Sequence, residues 1–325
     1  GLGGKHLDTI THTATAMLDV LRRRADVVHL HSPGPAVLSW MPWLAGLPTV
    51  LTVHGADWNR RKWARPARMV LEMGLRAGMR LADVVTAVSH PLAEELKRRF
   101  GREVACVANA PDAPTPPESG FLARLGLAPD GYGLHVGRIV PEKRLYTLIR
   151  AWNEARIDRP LVVVGRPEGC YGRQCLETAG ASIRFVGPRY KGELSALYEG
   201  AAMVLQPSVL EGMSLVLLEA AAWGRCIIAA DIPANRDAMG EAILYFRSDD
   251  RSQLSWLIRR YWRSAAKRRE VGRAARAQVQ RSATWRDAAV AMQSFYKEAL
   301  TRRNRREAAR GVAALPTEGS YGRKT

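Results

Sequence analysis

Between residues 203 and 230 three apolar runs follow one another with only short interruptions. Met203-Val204-Leu205-Gln206-Pro207-Ser208 is β-like and so is Cys226-Ile227-Ile228-Ala229-Ala230. The stretch Glu211-Gly212-Met213-Ser214-Leu215-Val216-Leu217-Leu218-Glu219 lies between them and continues through Ala220-Ala221-Ala222-Trp223. That order is strand, turn, helix, strand, with one glutamate and two small residues at the turn. A helix starting near Ser214 offers unpaired N–H groups and a partial positive charge to an anion. Gly212 allows a ligand close to the backbone. Glu211 then stands just ahead of the helix and Glu219 about a turn and a half inside it. One carboxylate is placed to address a group beyond the phosphates, the other to accept hydrogen bonds from a ribose. The plainer alternative is a βαβ unit with an acidic turn and a Glu219 paired to a surface arginine.

The same alternation runs along the chain and predicts an α/β protein with parallel sheets. Helical patterns over 8–24, through Trp40 and Leu44, and over 64–81 and 91–99 alternate with strands at 26–31, 49–53, 83–88 and 104–108. Residues 110–130 hold Pro111, Pro114, Pro116, Pro117 and Pro129 and read as a linker. The rhythm restarts with strands at 134–137, 161–165 and 183–187 and helices at 144–155 and 191–201. A last strand falls at 243–246, and helix follows from about 250 to 310 with a break near Ser282-Ala283-Thr284. The predicted organisation is a first Rossmann-like domain over 1–110, a linker over 111–130 and a second such domain over 131–282. A crossover helix over 283–310 and a disordered tail over 311–325 complete it. The crevice between the halves is the expected site.

At 325 residues the chain is long enough for two cores. No run of about 18 uncharged apolar residues indicates a spanning helix. Cys106, Cys170, Cys175 and Cys226 are scattered without metal-site spacing, as for reduced thiols in a cytosolic protein. The net charge is +18, and the last 67 residues hold 18 basic against 5 acidic side chains. Such a surface suits the anionic inner leaflet of a membrane or a nucleic acid, or is a solvated basic helix with a tail. The helix over 64–81 is itself basic and amphipathic.

Gly137-Arg138-Ile139-Val140-Pro141-Glu142-Lys143 follows the first strand of the second half. Two cations five apart in a loop can clamp a diphosphate, Arg138 by its fork and Lys143 as a point charge. Together with Glu211 and Glu219 this set resembles the retaining, nucleotide-sugar-dependent glycosyltransferases of family 4, which have the GT-B fold. Pro207-Ser208, Trp223-Gly224 and Asp231-Ile232-Pro233-Ala234-Asn235-Arg236 also match, the last as a loop after a strand. In the first half His54-Gly55, Ala87-Val88-Ser89 and Asn109 match as well, so the resemblance covers nearly all of residues 5–300.

The resemblance implies two Rossmann-like domains facing each other across a cleft, with C-terminal helices packing back on the first. It implies that Arg138 and Lys143 neutralise the donor diphosphate beside Gly137. Glu219 would bind the ribose, Glu211 the donor sugar, and the amides of Gly212, Met213 and Ser214 the phosphates. His54 would lie near the anomeric carbon and acceptor, Val186 and Gly187 near the nucleobase. No DxD motif stands out, which fits a metal-independent enzyme with no cofactor beyond the donor substrate. A hexose transfer to a saccharide or lipid-linked acceptor in cell-surface glycan synthesis is expected, in the cytoplasm at the inner membrane face. Two other functions remain open: a GT-B sugar-nucleotide epimerase, and a basic nucleic-acid-binding protein. The family pattern places a strand and a Gly-Gly-rich loop ahead of everything seen here. Gly3-Gly4 is not that loop, so the chain is expected to begin inside its first domain and to need the missing part for full activity.

Overall fold

The alternation folds into two parallel sheets with helices on both faces. The computed structural model describes residues 7–23, 25–56, 58 and 65–309, with side chains from 11 to 305. The expected tail over 311–325 and Gly3-Gly4 lie outside the described residues.

The first half runs α1 (Leu7–Arg23), β1 (Val28–His31), α2 (Pro33–Ala36), α3 (Trp40–Leu44), β2 (Thr49–Val53), α4 (Arg65–Leu81), β3 (Val84–Ala87), α5 (His90–Phe100) and β4 (Ala105–Cys106). Its strands pair in the order β1-β2-β3-β4. Alternation along each strand divides its residues between two faces. Leu30, Leu51, Val53 and Val85 face a core with Leu75 and Met79 of α4 and Leu92 and Leu96 of α5. Val50 and Val84 face the other way.

The second half begins inside the stretch expected as linker. Residues 111–120 carry no regular structure beyond a final turn. Then α6 (Phe121–Arg124) places Phe121, and with it Leu127, in the same core as Tyr132 and Leu134. There follow β5 (Gly133–Val136), a 3-10 turn over Pro141–Lys143, α7 (Leu145–Ala155), β6 (Leu161–Val164), α8 (Gly169–Thr178), β7 (Ile183–Gly187), α9 (Lys191–Gly200), β8 (Met203–Gln206), α10 (Leu215–Ala222), β9 (Cys226–Ala230), α11 (Pro233–Met239) and β10 (Leu244–Phe246). The strand order is β10-β9-β8-β5-β6-β7, all neighbours parallel. The four inner strands, β5, β6, β8 and β9, are buried on both faces, which is why they read as continuous apolar runs.

Three elements differ from the sequence expectation. Helix α8, GCYGRQCLET, has too weak an apolar stripe to announce itself, and only Gly172 and Cys175 are buried. The segment after β9 was expected as a loop and is helical from Pro233. Pro233 sits at its N-terminus, and Ala234, Ala238 and Met239 are buried. The C-terminal region breaks twice, giving α12 (Arg251–Trp262), α13 (Ala265–Gln280) and α14 (Trp285–Ala309). Caps set those breaks. Asp250 accepts from the Gln253 amide at 2.7 Å, and Ser264 from the Lys267 amide at 3.3 Å. Thr284 and Asp287 bond each other's amides at 2.8 and 3.2 Å, a reciprocal capping pair.

Helix α14 leaves the second half and covers the open face of the first sheet. Ala299, Met292, Phe295 and Tyr296 pack on Val50 and Val84. At its start the Trp285 indole N–H donates to Asp112 at 2.8 Å. Among the described residues no helix is long and apolar enough to cross a membrane.

Among the described residues Trp152 is the largest fully buried side chain, and a Cβ on Gly133 would stand 2.6 Å from its ring. Trp152→Ala should lower the unfolding free energy of the second half by about 3–5 kcal/mol, as a shifted urea transition followed by far-ultraviolet dichroism.

Candidate active site

The carboxyl ends of both sheets face one cleft, and the loops that follow the strands line it. The two halves meet most closely where Gly212 lies on the backbone of His54 and Gly55. A Cβ at Gly212 would fall 2.7 Å from the His54 carbonyl carbon and 3.0 Å from Gly55 Cα, so no larger residue fits without separating the loops. Met213, next in the chain, packs against the cores of both halves. A second contact joins α5 to α11, where the His90 amide and imidazole Nδ1 each lie 3.1 Å from the Asp237 carboxylate.

On the second-half side a cavity of about 940 Å³ opens between the ends of β5, β6 and β7 and the first turns of α10. Gly137 and Arg138 form its floor and one wall. Gly165 and Arg166 after β6, then Pro188, Arg189 and Tyr190 after β7, form the other, and Val216 and Glu219 close it. Gly137 (φ 156°) and Gly165 (φ 145°) both hold backbone angles that L side chains avoid, which lets the β5 and β6 loops lie against each other.

Of the expected residues, Gly137, Arg138 and Glu219 line this cavity directly. The exposed guanidinium of Arg138 is at its mouth. Lys143 sits over Gly137 and its Nζ lies 2.5 Å from Glu211 Oε1, with both side chains mostly buried. Gln206 at the end of β8 donates from one Nε2 to Glu211 Oε1 and Ser214 Oγ, each at 3.2 Å. Ser214 is the residue before α10, its hydroxyl turned to Gln206 instead of to the helix amides. The Glu211–Ser214 loop therefore has fixed geometry. Val186 and Gly187 sit at the end of β7, just before the residues that line the cavity, with Val186 against the core. His54 is exposed in the cleft, beside Gly212 and therefore next to Glu211 along the loop.

Glu219 does not pair with an arginine. Its Oε2 accepts from the buried Tyr198 hydroxyl at 2.7 Å. Burial raises the Glu219 carboxyl above its ordinary value, Tyr198 pulls it back, and the Asp112 charge raises it again. Tyr198 escapes a reading by spacing because it reaches the site from a different element, and Gln206 because it carries no charge to mark it. Gly165-Arg166 gave a usable signal, a glycine at a strand end, as Gly137-Arg138 did.

Beneath Lys143, His135 on β5 is fully buried. Its Nδ1 lies 2.9 Å from the Leu205 carbonyl, so Nδ1 carries the proton and the unpartnered Nε2 faces the Gly137 loop. Burial holds its pKa down at about 4. Among the described residues there is no cluster of three or more His, Cys, Asp or Glu able to hold a metal ion.

Residues 128–278, which contain this cavity, match the family model described as glycosyl transferases group 1. Residues 4–113 match the model described as Glycosyltransferase Family 4. The two halves of the chain thus each match a glycosyltransferase model. The chain's relatives include a D-inositol 3-phosphate glycosyltransferase of Actinosynnema mirum, 31% identical over 237 residues. That alignment takes in 64% of this chain and 56% of the relative, so the chain spans little more than half of that protein. The glycogen synthase of Mycobacterium tuberculosis is 27% identical over 295 residues, 84% of this chain and 69% of the relative. Among solved structures, Anabaena HepE in complex with UDP-glucose superposes with a TM-score of 0.74 at 16% identity, covering 89% of this chain and 81% of that one. The two facing parallel-sheet domains are the GT-B arrangement, shared with these solved structures.

His29 on β1 resembles His135 in being held near 4 by burial, with His31 and His54 adding to the depression. A histidine whose folded pKa lies below its ordinary value near 6.5 favours the folded state fully above that value. That contribution is lost as pH falls towards 4, because the unfolded chain takes the proton first. Glu219, shifted upward, works in the opposite sense at the lower end of the window. The melting temperature should therefore fall between pH 6.5 and 4, and less steeply in His135→Phe, by differential scanning fluorimetry across that range.

Proposed function

We propose that this chain moves a hexose from a nucleotide-diphosphate sugar to a saccharide or lipid-linked acceptor, with retention at the anomeric carbon and without a metal ion. The observation that supports it most is the Lys143–Glu211 pair beside Gly137, next to the cavity that Gly137, Arg138 and Glu219 line. In the proposed cycle the nucleoside lies along the β6 and β7 loops, with its ribose on Glu219. Arg138, Lys143 and the N-terminal turn of α10 face the diphosphate. Glu211 then accepts from hydroxyls of the sugar, which sits between that loop and His54.

The bond from the anomeric carbon to the phosphate oxygen breaks as the acceptor oxygen approaches the same face. Positive charge develops on the sugar and negative charge on the departing diphosphate, which takes the acceptor's proton. Two cations and oriented amides aimed at that diphosphate stabilise the transition state more than the ground state. The charge that a metal would supply in other designs is supplied here by Arg138, Lys143 and the helix terminus.

Thermal-shift binding against UDP, GDP, ADP and dTDP should show stabilisation by one nucleotide, lost in Lys143→Ala and in Glu219→Ala. Turnover in Lys143→Ala should fall by roughly 100-fold or more, by analogy with loss of one oriented transition-state donor. Cooperative melting with no shift from any nucleotide would remove the donor-site reading.

We place the reaction at the inner, anionic face of the plasma membrane. Helix α4 supports this, since Met69 (66% exposed), Met73 (61%) and Val70 lie among exposed Arg65, Arg68, Arg76 and Arg80. Neighbouring α3 exposes Trp40 and Leu44. An apolar strip flanked by arginines is the pattern of a helix lying in a lipid headgroup layer. Sedimentation with vesicles should show binding to phosphatidylglycerol-containing but not to pure phosphatidylcholine membranes, lost in Met69→Glu/Met73→Glu. Equal binding to both lipids would sink the placement.

A further inference from the structure

Beyond the donor side, a line of polar groups crosses the first sheet on the face that α14 covers. Strand alternation sends Val28 and Leu30 of β1 into the core with α4 and α5, and turns His29 and His31 to the opposite face. Thr52 of β2 and Thr86 of β3 turn the same way, and their hydroxyl oxygens are 2.7 Å apart. His29 is held at both ring nitrogens: Nε2 lies 2.7 Å from Thr52 Oγ1, and Nδ1 2.9 Å from the Tyr296 hydroxyl of α14. The His31 ring lies against His29, tilted by 34°, with centroids 4.0 Å apart. At the carboxyl edge, His31 Nδ1 meets His54 Nε2 at 2.9 Å, with those rings within 25° of parallel.

We propose that His31 is a positioning residue for His54. It fixes the plane of that ring in the cleft and decides which His54 nitrogen carries the proton. This rests on the reading of His54 as a residue facing the transferred sugar. A nitrogen–nitrogen contact of this length needs one proton between the two atoms. His54 is exposed at the end of β2, so its ring orientation depends on its contacts. His31 supplies one from a strand, and strands hold site groups more accurately than loops do. His31 cannot turn away without losing its ring contact with His29, which Thr52 and Tyr296 anchor. Burial lowers the His31 pKa, so near neutrality it offers an N–H or a lone pair and no charge. The result is a chain of fixation from α14 through β1 to the centre of the cleft.

The test combines a readout that needs no substrate with one that does. Long-range proton–nitrogen spectra of the histidine rings in the whole chain, assigned with His54→Gln, should show one His54 tautomer in the parent. His31→Phe should give a mixture of both. Donor cleavage to water is then followed with UDP-, GDP-, ADP- or dTDP-glucose, whichever the nucleotide assay selects. His31→Phe should lower kcat about tenfold or more with KM within twofold, since misplacing a group by about 1 Å costs up to 100-fold. His31→Asn, whose amide can occupy the Nδ1 position, should recover most of the rate and the single tautomer. An unchanged His54 tautomer in His31→Phe, or an unchanged kcat, overturns the proposal. So does a His31→Asn variant that melts like the parent yet performs no better than His31→Phe. Should His31→Phe not fold, His31→Asn decides alone: loss of its single tautomer overturns the proposal. Absence of any nucleotide shift would instead refute the donor reading and leave the tautomer result to judge His31.

Discussion

Backbone against backbone at Gly212 and His54 is the contact on which the site depends. A methyl group there would wedge the halves apart, and the catalytic candidates are distributed across the joint: Glu211, Lys143 and Glu219 on one side, His54 on the other. Close-packed interiors are bistable more than they are deformable, so a gap opened at this point would not be absorbed locally. Met213 reinforces the joint by packing into both cores, which ties the height of the Glu211–Ser214 loop to two independent sheets.

Lys143, Glu211 and Glu219 are each partnered within the protein. Lys143 and Glu211 bind each other, Gln206 steadies Glu211 and Ser214, and Tyr198 holds Glu219. A mostly buried carboxylate and ammonium would each be costly alone, and pairing removes much of that cost. The geometry is thus held by groups that a polyanionic ligand has to outcompete. That competition favours a ligand carrying more negative charge than one carboxylate does, and a diphosphate meets the condition.

How much of this was legible depended on whether a feature was local. Arg138 and Lys143 share one turn, and Glu211 and Glu219 share one strand–helix junction, so their nearness was legible from spacing while their roles came from the resemblance. The carboxyl-edge location of His54 followed from a single strand. Arg166, Arg189 and Tyr190 were not read as site residues, because their nearness to Arg138 comes from the order β5-β6-β7 and not from the chain. Tyr198 joins Glu219 from α9, outside the stretch that was read, whereas Gln206 lies within it, five residues before Glu211, and carries no charge to mark it. Helix α8 escaped notice because it has little apolar periodicity, and α11 because residues 231–236 were matched to a loop of the family although Pro233 opens a helix there. Phe121 and Leu127 showed that proline content marks the absence of strand and helix better than it marks a domain edge.

The placement of α14 also sets a timetable. Val50 and Val84 belong to strands made early, yet the side chains that cover them, from Met292 to Ala299, are made last. On a ribosome the second half has all of its strands before the first half can shield one face of its sheet. The early half must wait with that face bare for the synthesis of some two hundred intervening residues. Chaperone dependence during synthesis should therefore concentrate on the half that emerges first, and arrest of translation before Trp285 should leave it prone to aggregation while the later half is already shut.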